Sequence, residues 1–225
     1  MSKQNNQPDH LSQVDKALAD AVPVYPAAID GRLPTLDRGQ YCYMVSRDGL
    51  FAVGRGAGFT GVVPVAGAYT PTPFGQLTPG VFYDRGAVVD ADLIKEAAQA
   101  ANKNYENEWA GVILRDPNTG EHFRRDVAYH YHDRTSVSVD TTSYDTTGEE
   151  ADLVVDIHSH STGSPGFSET DNESDSRGIH ISLVFGYCGG DWTNIAMAAR
   201  LCVCGHVFPL EQLPDWVHFK ESEDA

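Results

Sequence analysis

The pattern of apolar and polar positions changes character along the chain. Residues 1–15 are polar and aperiodic and read as a disordered arm. Residues 16–88 are rich in Gly, Pro and β-formers. Tyr41 to Val45 and Leu50 to Val53 flank Ser46-Arg-Asp-Gly49, whose Asp-Gly pair predicts a hairpin. Gly61 to Val65 and Val81 to Tyr83 predict further short strands, so this region reads as a small antiparallel unit. Beyond it, Leu93, Ile94, Ala97, Ala98 and Ala101 recur at helical spacing, predicting an amphipathic helix over 91–104 with Asp90 as its N-cap. Trp109 to Leu114 reads as a strand, Asp116 to Gly120 as a turn, 121–131 as a returning strand and 133–150 as a Ser-, Thr- and Asp-rich loop. Leu153 to Ile157 is a buried strand running into His158-Ser-His160, followed by a polar loop over 161–176. Ile179 to Tyr187 is a strand, Gly189 to Asp191 a turn and Ile195 to Val207 a last strand. A helix followed by strands predicts an α/β domain over 89–219. An acidic tail occupies 220–225, and Trp216 and Phe219 form a short apolar anchor before it.

Composition narrows the function classes. With 225 residues and 41% hydrophobic side chains the chain can bury a core. No apolar run approaches the roughly 18–20 residues of a membrane span, so no membrane partner is expected. The first ten residues are too polar for a signal peptide. Four cysteines are too few for a disulfide scaffold, so a reducing, cytoplasmic setting is expected. Sixteen basic against 32 acidic residues give a net charge of −16, which repels a phosphate backbone, so no nucleic acid is expected as a direct ligand.

The informative chemistry lies between Asp156 and Asp171. At a strand end alternate residues share a face, so His158 and His160 point the same way and can grip one ion. Two imidazoles suit Zn²⁺, and Asp171 can loop back to supply a third ligand, leaving a fourth position open as in catalytic sites. A bare His-x-His is more often two surface histidines. Here, however, ten residues separate His160 from Asp171, and Ser168 stands three before the aspartate.

His-x-His-x(10)-Asp ending in Ser-x-x-Asp is the JAMM signature, also called MPN+ or JAB. The segment resembles that zinc metalloprotease family, whose members remove ubiquitin or ubiquitin-like proteins. The resemblance implies an MPN/JAB-like α/β fold, a mixed sheet flanked by helices, here with a β-rich N-terminal extension. It also implies a catalytic glutamate on an earlier element, often with glycine three residues later. Glu108-Trp-Ala-Gly111 matches; Glu106 competes, but its third following residue is Trp109. On this resemblance His158, His160 and Asp171 hold Zn²⁺, Glu108 is the general base, and Ser168 donates to the oxyanion. Many members carry Pro after the second histidine, where this chain has Ser161. Val155 to His160, Phe167 to Asn172, the late Cys204-Gly-His206 and the Gly-rich β N-terminal part are similar, more closely, to the PRTRC system protein A family. That likeness implies a ubiquitin-like protein substrate and an E1-like, ThiF-related partner in a plasmid-type cassette. The rival reading of the domain is a non-catalytic MPN-type scaffold with a structural zinc.

Other motifs carry less. Gly56-Ala-Gly58-Phe-Thr-Gly61 fits a dinucleotide fingerprint, but Val62-Val-Pro-Val65 refuses the helix such a site needs. His130-Tyr-His132 reads as surface histidines. Cys202, Cys204 and His206 would share a strand face and, with Cys188 earlier, could in principle bind a second metal, but Cys-x-Cys-x-His is not a standard finger spacing, and small buried residues are the favoured reading. Asp171-Asn-Glu173-Ser-Asp175 lacks the glycine and glutamate of a calcium loop. Asp156 is in register with both histidines, either as a partner behind them or as a polar strand-end residue.

Overall fold

A computed structural model of the chain describes residues 21–127, 130–133, 136–138 and 152–210, with 130–138 described by backbone alone. The arm at 1–15, the side chains of His130 and His132, and the anchor and acidic tail beyond 210 lie outside the described residues.

The N-terminal strands form one five-stranded sheet in chain order: β1 Val24–Pro26, β2 Tyr41–Ser46, β3 Gly49–Arg55, β4 Phe59–Gly67 and β5 Gly80–Tyr83. Only β1 and β2 run parallel. The expected β2–β3 hairpin is present, with Ser46 paired to Gly49 and Arg47-Asp48 at its tip. Its glycine serves a close approach rather than the tip: at φ +150° a Cβ on Gly49 would lie 2.0 Å from the Ala66 carbonyl oxygen of β4. The Gly56–Gly61 motif falls at the β3–β4 turn, with strand and not helix after it.

Helix α1, Ala91–Lys103, begins where the sequence predicts, because the Asp90 side chain accepts from the Asp92 N–H at 3.0 Å. Its buried face is Ile94, Ala97, Ala98 and Ala101. A six-stranded mixed sheet follows, built from β6 Ala110–Arg115, β7 His122–Asp126, β10 Asp152–Ser159, β11 Ile179–Gly186, β12 Ala196–Val203 and β13 His206–Pro209. Its strand order is β13-β12-β11-β10-β6-β7. Only β10 and β11 pair in parallel. All eight residues of β11 are buried, the pattern of a strand covered on both faces. The two sheets share one core: Phe59 and Val63 of β4 join Ile181 of β11, Leu201 of β12 and the buried face of α1.

The sequence reading needs three corrections. The strand expected over 121–131 ends at Asp126; β8, His130–Asp133, pairs instead with β9, Ser136–Ser138, inside the segment expected to be loop. The polar loop over 161–176 contains a short helix, α2, Glu169–Ser174, nucleated by Ser168. The last strand, expected over Ile195 to Val207, is two strands, β12 and β13. Cys204 at φ +44° and Gly205 at φ +89° make the two-residue turn between Val203 and His206.

Candidate metal centre

β10 is held between β11 and β6, with His158 opposite Val184 on one side and Ala110 on the other. His160 lies one residue past the strand, its N–H bonded to the Phe185 carbonyl at 2.9 Å. The loop that follows is stitched to the end of β11: Tyr187 N–H donates to the Gly163 carbonyl and Cys188 N–H to the Ser161 carbonyl, both at 2.8 Å. A Cβ on Gly186 would come 2.6 Å from the Gly163 oxygen, so the loop packs directly on β11 backbone. Ser161 sits at φ +50°. A proline, locked near about −65°, cannot take that conformation. Serine rather than proline at 161 therefore suits the local backbone, because this loop turns left-handed at the residue after His160.

Ser168 is the N-cap of α2. Its hydroxyl accepts from the Asp171 N–H at 3.2 Å, while Asp171 Oδ2 accepts from the Ser168 N–H at 2.5 Å, a reciprocal capping box. That pairing turns the Asp171 carboxylate toward the histidines. His158 Nε2 is 3.1 Å from Asp171 Oδ1 and 3.2 Å from His160 Nε2; His160 Nε2 is 3.6 Å from Asp171 Oδ2. The structure thus brings His158, His160 and Asp171 to one point. His160 Nδ1 is 3.1 Å from the Ser164 carbonyl. A carbonyl only accepts, so Nδ1 carries the proton and Nε2 keeps its lone pair for a ligand.

These donors fit zinc. On a tetrahedral ion with bonds of about 2.0–2.1 Å, neighbouring ligand atoms lie roughly 3.3 Å apart. The separations of 3.1 and 3.2 Å are close to that edge, and two imidazoles with one carboxylate are an ordinary zinc donor set. Electrostatics agree. Burial pulls the His158 pKa down, but the Asp171 bond and charge, then Asp156 and Glu108, outweigh it and raise it. Burial pushes the Asp171 carboxyl up, and the His158 bond and charge with the Ser168 N–H overcome it, holding the group well below the usual carboxylate range. The Asp171, Asp156 and Glu108 carboxylates thus favour positive charge at His158.

Glu108 stands half-buried just before β6, and Glu106 is exposed. Burial raises the Glu108 pKa, with His160 and His158 opposing and the Asp171 charge adding. Its charge is therefore felt at the histidine pair. One residue missed from the sequence fixes this arrangement: Ser159, between the two histidines and fully buried. Its hydroxyl accepts from the Trp109 N–H at 2.8 Å, and its N–H donates to the Trp109 carbonyl at 2.8 Å. Alternation already sends the middle residue of His-Ser-His inward, and that was its signal. Asp156, also buried, acts on His158 through its charge, which favours the partner reading over a bare strand-end residue.

The second candidate group, Cys202, Cys204 and His206 with Cys188, is not brought together. The Cys204-Gly205 turn breaks the face shared by Cys202, Cys204 and His206, and His206 Nε2 instead lies 2.9 Å from the Tyr43 hydroxyl. Among the described residues, the clusters with metal-ligand spacing include none of Cys188, Cys204 and His206. Asp171 to Asp175 is helix and its cap, not a calcium loop. Among the same residues no helix is long and apolar enough to cross a membrane.

Residues 90–200 match the family described as prokaryotic homologs of the JAB domain, and residues 12–82 match a domain of unknown function, DUF2016. No curated protein matches the chain. Among solved structures, a solution structure of a protein from Desulfitobacterium hafniense is similar at 15% identity and a TM-score of 0.38. The alignment covers 54% of this chain and 87% of that one.

Proposed function

We propose that the JAB-type domain over residues 90–200 is a zinc-dependent peptidase, with His158, His160 and Asp171 as ligands, Glu108 as general base and Ser168 as oxyanion donor. The observation that carries this reading is the convergence of three donor atoms beside a half-buried glutamate. Zinc, when bound, supplies Lewis acidity and brings the ionisation of water toward neutral pH. The rest is done by the chain. The raised pKa of Glu108 suits a carboxylate that takes a proton from water and returns it to the leaving amine. The Ser168 hydroxyl accepts from the Asp171 N–H, which leaves its own O–H to donate to a carbonyl oxygen as negative charge develops there. The Ser164 carbonyl fixes the His160 tautomer throughout.

The substrate follows from the resemblance. It is an amide or isopeptide bond after the C-terminal tail of a ubiquitin-like protein, in a PRTRC-type cassette with an E1-like partner and in the cytoplasm. The scaffold reading has one support, the structural task that Ser168 performs as a cap. The test is a ubiquitin-like fusion with a reporter amide, given to zinc-loaded wild-type and Glu108→Gln protein. Glutamine keeps the shape and removes the base, so the variant should keep its zinc and lose about 10²–10⁴ in rate. Zinc without cleavage of any such fusion by the wild type favours the scaffold. Inactivation by Glu106→Gln and not by Glu108→Gln moves the base by two residues.

A further inference from the structure

Behind the candidate centre lies a second polar cluster that the proposed chemistry does not use. Arg200, on β12, is only 5% exposed, and Asp175, the C-cap of α2, 2%. Arg200 Nε donates to Asp175 Oδ2 at 2.7 Å, and Nη2 lies 2.6 Å from the same oxygen as an ion-pair contact. Nη1 donates to Asn172 Oδ1 at 2.6 Å. The guanidinium carbon stands 3.8 Å from the centroid of the Phe167 ring. The other Asp175 oxygen lies 3.2 Å from His180 Nε2 on β11. One side chain of the sheet therefore grips Phe167 before the Ser168–Asp171 capping box, and Asn172 and Asp175 after it.

That bracket matters because α2 has only six residues and buries no side chain of its own. So short a helix is not stable on its own propensity. Its packing must come from its ends, and contacts at both ends converge on Arg200, with half-buried Phe167 before the helix and buried Asp175 at its C-cap. A metal reading of the same cluster fails on charge. Asp175, His180 and Cys202 do offer atoms within 4.8 Å of one another. Yet the guanidinium already neutralises Asp175 and would repel a cation placed beside it.

We propose that Arg200 is a positioning residue that clamps α2 on the sheet, so that Asp171 and Ser168 face His158 and His160. The inference rests on the zinc-site reading for its consequence but not for the clamp itself. Lysine at 200 keeps a charge for Asp175 but cannot form the fork to Asn172 and stack on Phe167 together. Asn172→Ala removes one arm and leaves the buried ion pair intact, so it guards against a variant that fails to fold. The experiment compares full-length wild type, Arg200→Lys and Asn172→Ala in two ways. Amide hydrogen exchange is read on metal-free protein, and zinc affinity by competition with a chelator. The clamp predicts exchange at least about tenfold faster at residues 168–175, unchanged protection in β10 and β11, and zinc binding about 10–100-fold weaker. Unchanged exchange at 168–175, or protection lost evenly across the sheet, overturns it. If the wild type binds no zinc, the metal reading fails, and the exchange data alone still decide the clamp.

Discussion

Replacing Ser168 by alanine separates two roles that one hydroxyl can hold. As a cap, the hydroxyl accepts the Asp171 N–H; losing a serine N-cap typically costs about 1 kcal/mol, within a range of roughly 0.5–2. The reciprocal bond, Ser168 N–H to Asp171 Oδ2, belongs to the backbone and survives the substitution. If the whole cost appeared as weaker metal binding, zinc affinity would fall about fivefold, since 1.4 kcal/mol corresponds to tenfold. An oxyanion donor is worth far more, about 10²–10³ in kcat. Because the interaction strengthens only as charge develops on the carbonyl oxygen, the loss should fall on kcat with KM little changed. Steady-state kinetics on a cleavable ubiquitin-like fusion, at low and at saturating zinc, distinguish the two. A kcat still at least about 100-fold down in saturating zinc is the expected result. Full recovery on adding zinc would refute the oxyanion role and leave Ser168 a cap.

Two more outcomes are expected. Ser161→Pro should lower both Tm and zinc affinity, because proline cannot hold the φ of +50° beside His160, whereas Ser161→Gly should hold or raise Tm; a proline variant with wild-type zinc affinity contradicts the loop described. In metal-free protein the raised His158 pKa contributes stability below about pH 6.5, lost as pH rises through its folded value. The lowered Asp171 pKa contributes above about pH 4, lost as pH falls through its folded value. Thermal melts should therefore show the pair contributing most between about pH 4 and 6.5. The Tm gain from added zinc should grow above that window, where metal no longer competes with a proton; a zinc gain greatest at pH 5 would contradict the pairing.

The parts legible in the sequence are those specified by neighbours. The Asp90 cap and the apolar positions of α1 lie within a few turns of one another, and the His158–His160 face follows from strand alternation alone. Ser168 and Asp171 carry two meanings at once. The same Ser-x-x-acid spacing that suits chemistry or caps a turn also closes a capping box, and a polar, aperiodic segment after it gave no sign of the helix α2 that the box starts. The β12–β13 hairpin was missed for a related reason. Cys202, Cys204 and His206 alternate as if on one strand, and only the left-handed pair Cys204-Gly205 reveals the turn. Arg200 offered no signal at all, because its partners lie 25 and 28 residues away in the chain and meet it only through the β11–β12 pairing.

The most direct test of the metal centre is elemental analysis of zinc in purified wild-type protein and in the His158→Ala/His160→Ala double variant. About one zinc per chain in the wild type and close to none in the variant is the predicted result. Zinc retained by the variant at the wild-type level would contradict it and mean that the metal is held by other residues.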